Sequence, residues 1–369
     1  MGPYVAETLP LPGDRLDYGR LIRLVGEANA ALARYDGLLS GIVNPAILLS
    51  PLTTQEAVLS SRIEGTQATL DEVLEHEAGA PFDERKEHDI QEIVNYRKAL
   101  MLAKEVVSEQ PITLSLIRQM HAVLLDSVRG KDKTPGEFRK DQNWIGKPGC
   151  KIDEASFVPP SPLQLIEHLA NWADYMRHPE FDPLVQAGIV HAQFELIHPF
   201  KDGNGRIGRL LIPLFLYHQK VLSSPMFYLS AYLEAHRDEY YDRLQAISRE
   251  KDWNGWIEFF LTAVVAQARE NSSRVKATMD LYEEMKVRIA EITHSQFSIR
   301  LLDAMFDRPV FRTTDFIDRT GIGKVTAMAL IRQLREAEIL VPLMESSGRR
   351  PAILMFPRLL AVADGKSLA

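Results

Sequence analysis

Residues 185–216 constrain this chain more than any other stretch. Val185, Ile189, Val190, Phe194 and Ile197 recur at helical spacing, Pro199 stops that helix, and a polar turn leads into apolar Leu210, Leu211, Ile212, Leu214, Phe215 and Leu216. The pattern predicts a loop that becomes a buried helix at about Asn204, kinked or locally irregular at Pro213, which has no backbone N–H to give.

The turn, His198-Pro-Phe-Lys-Asp-Gly-Asn-Gly-Arg-Ile-Gly-Arg209, sets an imidazole, a carboxylate, glycine-flanked amides and two guanidiniums in one short register. The first N–H groups of a helix lack internal partners and carry the positive end of its dipole, so a glycine-rich entry lets an anion approach them. Arg206 and Arg209 stand three apart on one helical face, each with a planar fork suited to phosphate oxygens. These groups suit holding a polyphosphate and moving part of it. Gly203 to Gly208 also fits G-x-G-x-x-G, but a dinucleotide fold needs a preceding strand and an acidic residue about 20 positions on. A helical pattern precedes the turn, and residues 221–230 hold no carboxylate. His191 and His198 have no third ligand at metal spacing, so zinc is discounted. His191 and His121 read as packing or hydrogen-bonding histidines.

Composition (46% hydrophobic, 25% charged) is that of a folded protein, and 369 residues allow two or three domains. Net charge is −7, against a surface that grips nucleic acid throughout. Residues 300–369 hold 11 Lys/Arg and 8 Asp/Glu, about +3, leaving about −10 for the rest. A single Cys150 excludes an internal disulfide, and neither a signal peptide nor a membrane-spanning run is present, so a cytoplasmic location without membrane association is expected.

Residues 1–20 read as an extended arm, and helical patterns run from Tyr18 to about Glu109 and from Leu114 to Val128. Trp144-Ile145 and Ile152 to Val158 flank Gly146-Lys-Pro-Gly149, predicting a β-hairpin. Helices continue from Leu163 to about Lys276, and 270–292 is polar enough for a long exposed or linking helix. Then come a short helix (Thr313–Gly321), an amphipathic helix (Lys324–Leu340, with Val325, Met328, Leu330, Ile331, Leu334 and Ile339 apolar) and a strand–loop–strand to Phe356 with Gly348-Arg349-Arg350 near its tip. That order is the pattern of a winged helix. With Glu336 and Glu338 on its second helix, it is expected to bind DNA weakly at best.

One carboxylate sits awkwardly. Thr53-Thr-Gln-Glu56 reads as a capping box opening a helix that Gly65 closes, which leaves Glu64 at the end where the dipole disfavours a negative charge. The mismatch predicts a cationic partner elsewhere. Ser60 lies one turn earlier on the same face.

The 198–209 stretch resembles, at every position, the HPFx[D/E]GNGRxxR motif of the Fic (filamentation induced by cAMP) family, and Ser60-Ser-Arg-Ile-Glu64-Gly65 is similar to that family's inhibitory motif. The resemblance implies a mainly α fold: a Fic helical core (101–276) with a β-hairpin flap, an N-terminal helical extension (1–100) carrying the inhibitory helix, and a C-terminal winged helix (295–369). It implies a protein adenylyltransferase that moves AMP from ATP to a Ser, Thr or Tyr hydroxyl of a protein, itself included. His198 would be the base. Asp202 would hold Mg²⁺, and Gly203, Asn204 and Gly205 would surround the α- and β-phosphates. Arg206 would hold the β-phosphate and Arg209 the γ-phosphate, with Ile207 and Gly208 completing the ATP site and Tyr240 or Tyr241 beside adenine. Glu64, with Ser60, would pair with Arg209 and block the γ-phosphate. Ile152, Phe157 and Val158 of the flap would receive the target. A homodimer, an enzyme that mainly removes AMP with the same site, and a DNA-binding regulator whose Fic core senses nucleotide all stay open.

Overall fold

The computed structural model describes residues 2–42, 44–126, 132–147, 149–347 and 350–365. In chain order its elements are α1 (Tyr18–Ser40), α2 (Pro45–Leu48), α3 (Ser50–Ile63), α4 (Leu70–Glu77), α5 (Glu84–Val107), α6 (Leu114–Leu124), α7 (Leu165–Tyr175), α8 (Pro183–Ile197), α9 (Asn204–His218), α10 (Ser230–Ala235), α11 (Arg237–Glu250), α12 (Trp253–Thr293) and α13 (Ser298–Asp307). Then follow β1 (Val310–Arg312), α14 (Thr313–Thr320), α15 (Lys324–Glu336), β2 (Val341–Met344), β3 (Ile353–Met355) and α16 (Pro357–Ala363). Two compact units interleave along the sequence: Met1–Gly37, Leu59–Gly65 and Val94–Arg269 form one, and Leu38–Val58, Thr66–Ile93 and Glu270–Ala369 the other. The region expected as a single extension over 1–100 is therefore divided between them.

In the first unit α8 lies along α9, flanked by α7 and α11, while α6 packs on α9. Helix α8 is apolar almost all round and buried almost all round, as such a helix must be. Its start is fixed by Asp182, whose Oδ1 accepts from the N–H groups of Leu184 (2.8 Å) and Val185 (3.1 Å), with Pro183 in the first turn where no N–H is needed. Two buried indoles tie neighbours to its backbone: Trp172 Nε1 donates to Val190 O and Trp256 Nε1 to Gly188 O, each at 2.9 Å. Helix α9 begins at Asn204, as the sequence predicts, and stays helical through Pro213 to His218.

In the second unit, a three-stranded antiparallel sheet of order β1-β3-β2 pairs Phe311 with Leu354 and Val341 with Met355. Its apolar face joins Leu302, Phe306, Phe316, Leu330, Leu334 and Phe356 in one core. The segment 270–292, expected to be exposed or linking, is helical as part of α12, yet buries Val275, Leu281, Met285 and Ile289. On α15 the buried stripe is Ala327, Leu330, Ile331 and Leu334. Val325 and Met328, expected to share that stripe, fall off it at 100° per residue and are 86% and 45% exposed. Gly348 and Arg349 of the expected basic tip lie outside the described residues, and Arg350 forms a backbone bridge with Ser347.

Candidate active site

His198 caps α8 in a left-handed conformation (φ 49°) and donates its N–H to Phe194 O at 3.0 Å. Its Nδ1 faces Glu195 O at 3.3 Å, which makes Nδ1 the protonated nitrogen and leaves Nε2 with a lone pair. Burial pushes the imidazole down to about 4; the Glu195 carbonyl opposes this and Arg139 adds to it. His198 is thus neutral, and able to accept a proton, at neutral pH.

The turn after His198 is braced internally. Asn204 Oδ1 accepts from Phe200 N (2.8 Å) and its Nδ2 donates to Phe200 O (2.9 Å). The Asn204 side chain, expected to face phosphates, is instead committed to the loop and is 2% exposed. His121 stacks on Phe200 with ring centroids 3.7 Å apart, accepts from Gly136 N at Nδ1 and donates from Nε2 to Asp202 O. It is a hydrogen-bonding histidine, as expected.

Gly203 enters α9 at φ 77°, a backbone conformation that glycine adopts without strain. Asp202 Oδ1 accepts from Gly203 N (2.6 Å) and from Arg206 Nη2 (3.3 Å), while no donor among the described residues reaches Oδ2. A half-exposed carboxylate with one free oxygen suits Mg²⁺, which takes few protein ligands and fills its shell with phosphate and water oxygens. Ile207, placed in the ATP site by resemblance, is wholly buried and packs in the core.

Arg209 is 2% exposed and is held by the last turn of α3. Its Nε donates to Ser60 Oγ (2.9 Å), and its Nη2 to Ser60 O (2.9 Å) and to Glu64 Oε1 (2.7 Å). Burial alone would push the Glu64 carboxyl up. Arg209, its hydrogen bond, Arg206 and His198 outweigh that and hold it below the usual carboxylate range. Burial opposes the Arg209 charge, and Glu64 more than restores it. A Cβ on Gly205 would lie 2.2 Å from Glu64 Oε1, so the second glycine of the turn makes room for this carboxylate. Helix α3 itself starts three residues earlier than its expected capping box. Thr53 is inside the helix, its hydroxyl donating to Leu49 O at 3.3 Å, and Ser50-Pro51 opens it because proline suits a first turn.

A cavity of about 620 Å³ opens over these groups, lined among others by His198, Gly205, Arg209, Glu64, Tyr241 and Phe157. Tyr240 also lines it, but its hydroxyl is engaged with His191 Nε2 at 2.9 Å and its ring lies among Trp256 and Phe259. The expected hairpin contracts to a single antiparallel bridge, Ile145 with Phe157. Between them a 3-10 turn at Ile152–Glu154, tied by Lys151 N to Glu154 at 3.0 Å, curls the segment out of ladder geometry. Ile152 on that turn is 40% exposed and does not line the cavity, and Val158 is buried, its carbonyl accepting from Tyr4 N.

Two residues not singled out from sequence belong to this site. Glu195 lines the cavity with its Oε1 buried and without a donor among the described residues. A Cβ on Gly208 would lie 2.2 Å from that oxygen. Burial pushes this carboxyl up to about 8; Arg209 opposes the shift and Glu64 adds to it. A carboxylate that is the one Asp, Glu, Lys or Arg side chain of a buried helix, one turn before His198, was the available signal. Arg139, 3% exposed beneath the turn, gave none.

The model of the Fic/DOC family N-terminal region matches residues 22–105, and that of the Fic/DOC family matches 111–216. The chain belongs to the Fic/DOC family. It is 31% identical over 177 residues to the protein adenylyltransferase Fic of Aedes aegypti, covering 46% of this chain and 29% of that protein. It is 30% identical over 205 residues to a probable protein adenylyltransferase of Aquifex aeolicus (strain VF5), covering 52% of this chain and 56% of the relative. The chain thus matches between about a third and about half the length of these curated relatives. A crystal structure of a Fic family protein from Desulfovibrio desulfuricans G20 shares the fold with a TM-score of 0.57 at 20% identity, over 96% of this chain and 98% of that one. No helix among the described residues is long and apolar enough to cross a membrane.

Proposed function

We propose that the chain is a protein adenylyltransferase held inactive by its own Glu64. The observation that carries this reading is the seating of Glu64 and Ser60 on Arg209, in the same cavity as the neutral imidazole of His198.

A target hydroxyl attacks the α-phosphorus of ATP and loses its proton to His198 Nε2. The new O–P bond forms as the bond to the bridging oxygen breaks, and pyrophosphate leaves with the bonding pair. The N–H groups opening α9 and the Arg206 guanidinium face the negative charge that accumulates on the leaving group. Mg²⁺, when bound, neutralises phosphate charge, and Asp202 is the residue that would hold it. Arg209 has the charge and position to bind the γ-phosphate, but Glu64 occupies its fork. ATP then binds without that anchor, and the α-phosphorus is out of line with the hydroxyl.

The Phe157 edge of the flap borders the cavity and is where an extended target segment would lie. Incubation of the Glu64→Gly chain with α-labelled and, separately, γ-labelled ATP tests the reaction. Protein label from the α position alone is the expected result, and label from the γ position alone would replace AMP transfer with phosphorylation.

A further inference from the structure

Arg139 is buried, yet no carboxylate among the described residues pairs with it. Its guanidinium is spent on backbone carbonyls. Nε donates to His198 O (2.9 Å), Nη2 to Pro160 O (2.6 Å) and Ile197 O (3.3 Å), and Nη1 to Asp141 O (3.4 Å). The Arg139 backbone N–H adds Pro199 O at 2.9 Å. These acceptors form two groups. Ile197, His198 and Pro199 are the turn that holds the base, and Asp141 and Pro160 are the two roots of the flap.

Burial pushes the guanidinium down to about 10, so it stays charged at neutral pH even without a counter-ion. A planar fork can hold carbonyls on two segments at once; an ammonium is a single point of donation. The turn needs such support, because His198 sits at φ 49°, a conformation that costs a residue with a side chain.

We propose that Arg139 is a positioning residue that locks the backbone of His198 to both roots of the flap, fixing the spacing between the base and the edge that presents the hydroxyl. It does not touch the reacting atoms. It also places a positive charge beside the imidazole, opposed by Glu64 from α3 and Asp202 from the turn. This inference rests on the reading of His198 as the base.

The test uses the full chain carrying Glu64→Gly, into which Arg139→Met and Arg139→Lys are introduced separately. Three quantities are measured: AMP transfer, ATP affinity, and the titration of His198 by NMR. Arg139→Met should lower kcat on the order of 10²-fold, the cost of about 1 Å of misplacement. ATP affinity should stay within about twofold and the His198 titration should move up. Arg139→Lys keeps the charge, so the titration should stay low while kcat still falls, because an ammonium cannot span both segments.

Arg139→Lys with the kcat of its parent overturns the proposal, as does Arg139→Met with an unmoved titration. Should Arg139→Met not fold, the lysine variant decides. If the Glu64→Gly parent itself transfers nothing, the proposed activity fails on its own. Amide exchange at Ile145 and Ser156, which bond across the flap, then decides the lock: faster exchange in Arg139→Lys supports it and unchanged exchange refutes it.

Discussion

Arg209 Nη2 and Glu64 Oε1 meet at 2.7 Å, although 145 positions separate them in sequence. The guanidinium is almost fully buried and the carboxylate is about one-third exposed, so the arginine is fixed and the glutamate is the partner that can leave. Helix α3 supplies two further acceptors from Ser60, which hold the fork in place in the meantime.

Glu64→Gly should raise AMP transfer, including self-modification, on the order of 10²-fold by restoring the alignment of the α-phosphorus. Arg209→Ala should not mimic it, since the γ-phosphate ligand goes with the inhibitory pair. The double variant should be as slow as Arg209→Ala, a non-additive outcome of a shared contact. An unchanged or lower rate in folded Glu64→Gly would falsify the inhibition and favour AMP removal by the same site.

Introduced into the Glu64→Gly chain, His198→Ala should lower transfer by at least about 10²-fold with ATP affinity nearly intact, because it removes a base and not a phosphate ligand. In the Glu64→Gly chain the acid limb of the rate profile should lie well below the ordinary histidine value of 6.5, since burial holds the imidazole down to about 4. A limb at 6.5 or above would argue against a buried neutral base.

In the Glu64→Gly chain EDTA should eliminate transfer, and Asp202→Ala should raise the Mg²⁺ requirement or remove activity. Metal-independent transfer by the Glu64→Gly chain would contradict the role given to Asp202.

Glu195 gives a stability prediction. Its carboxyl is raised from 4.5 to about 8 by burial, so its protonated form favours the fold fully below pH 4.5, and this contribution is lost as pH rises towards 8. Glu195→Gln cannot ionise. Relative to the unmodified chain its melting temperature should therefore rise between pH 4.5 and 8, with a free-energy gain of at most a few kcal/mol. Parallel pH dependence of the two melting curves would show that Glu195 does not titrate in this range.

The C-terminal part should bind DNA weakly and in a salt-sensitive manner at best. On α15, Val325 and Met328 present apolar surface where a groove-reading helix would present bases with donors and acceptors. Measured on the full chain, tight sequence-specific binding that drops when Arg350 is changed would promote the regulator reading over the enzyme.

By itself the sequence determined what is local. The helix–turn–helix of α8 and α9, the start of α9 at Asn204 and the phosphate-suited chemistry of 198–209 follow from spacing, proline and glycine within about thirty residues. The awkward charge of Glu64 was legible too, because a helix end penalises it wherever its partner lies. Tertiary structure decided which groups are spent and which are free. Asn204 braces Phe200 four positions before it, and the flap keeps one bridge among the described residues, because residue type alone does not fix how a turn or a hairpin closes. Burial is likewise a property of the packed chain, and it is the largest cause of the low His198 and the high Glu195. Arg139 carried no mark in the sequence: its partners are backbone carbonyls, which every residue possesses, and only the fold selects the ones it meets.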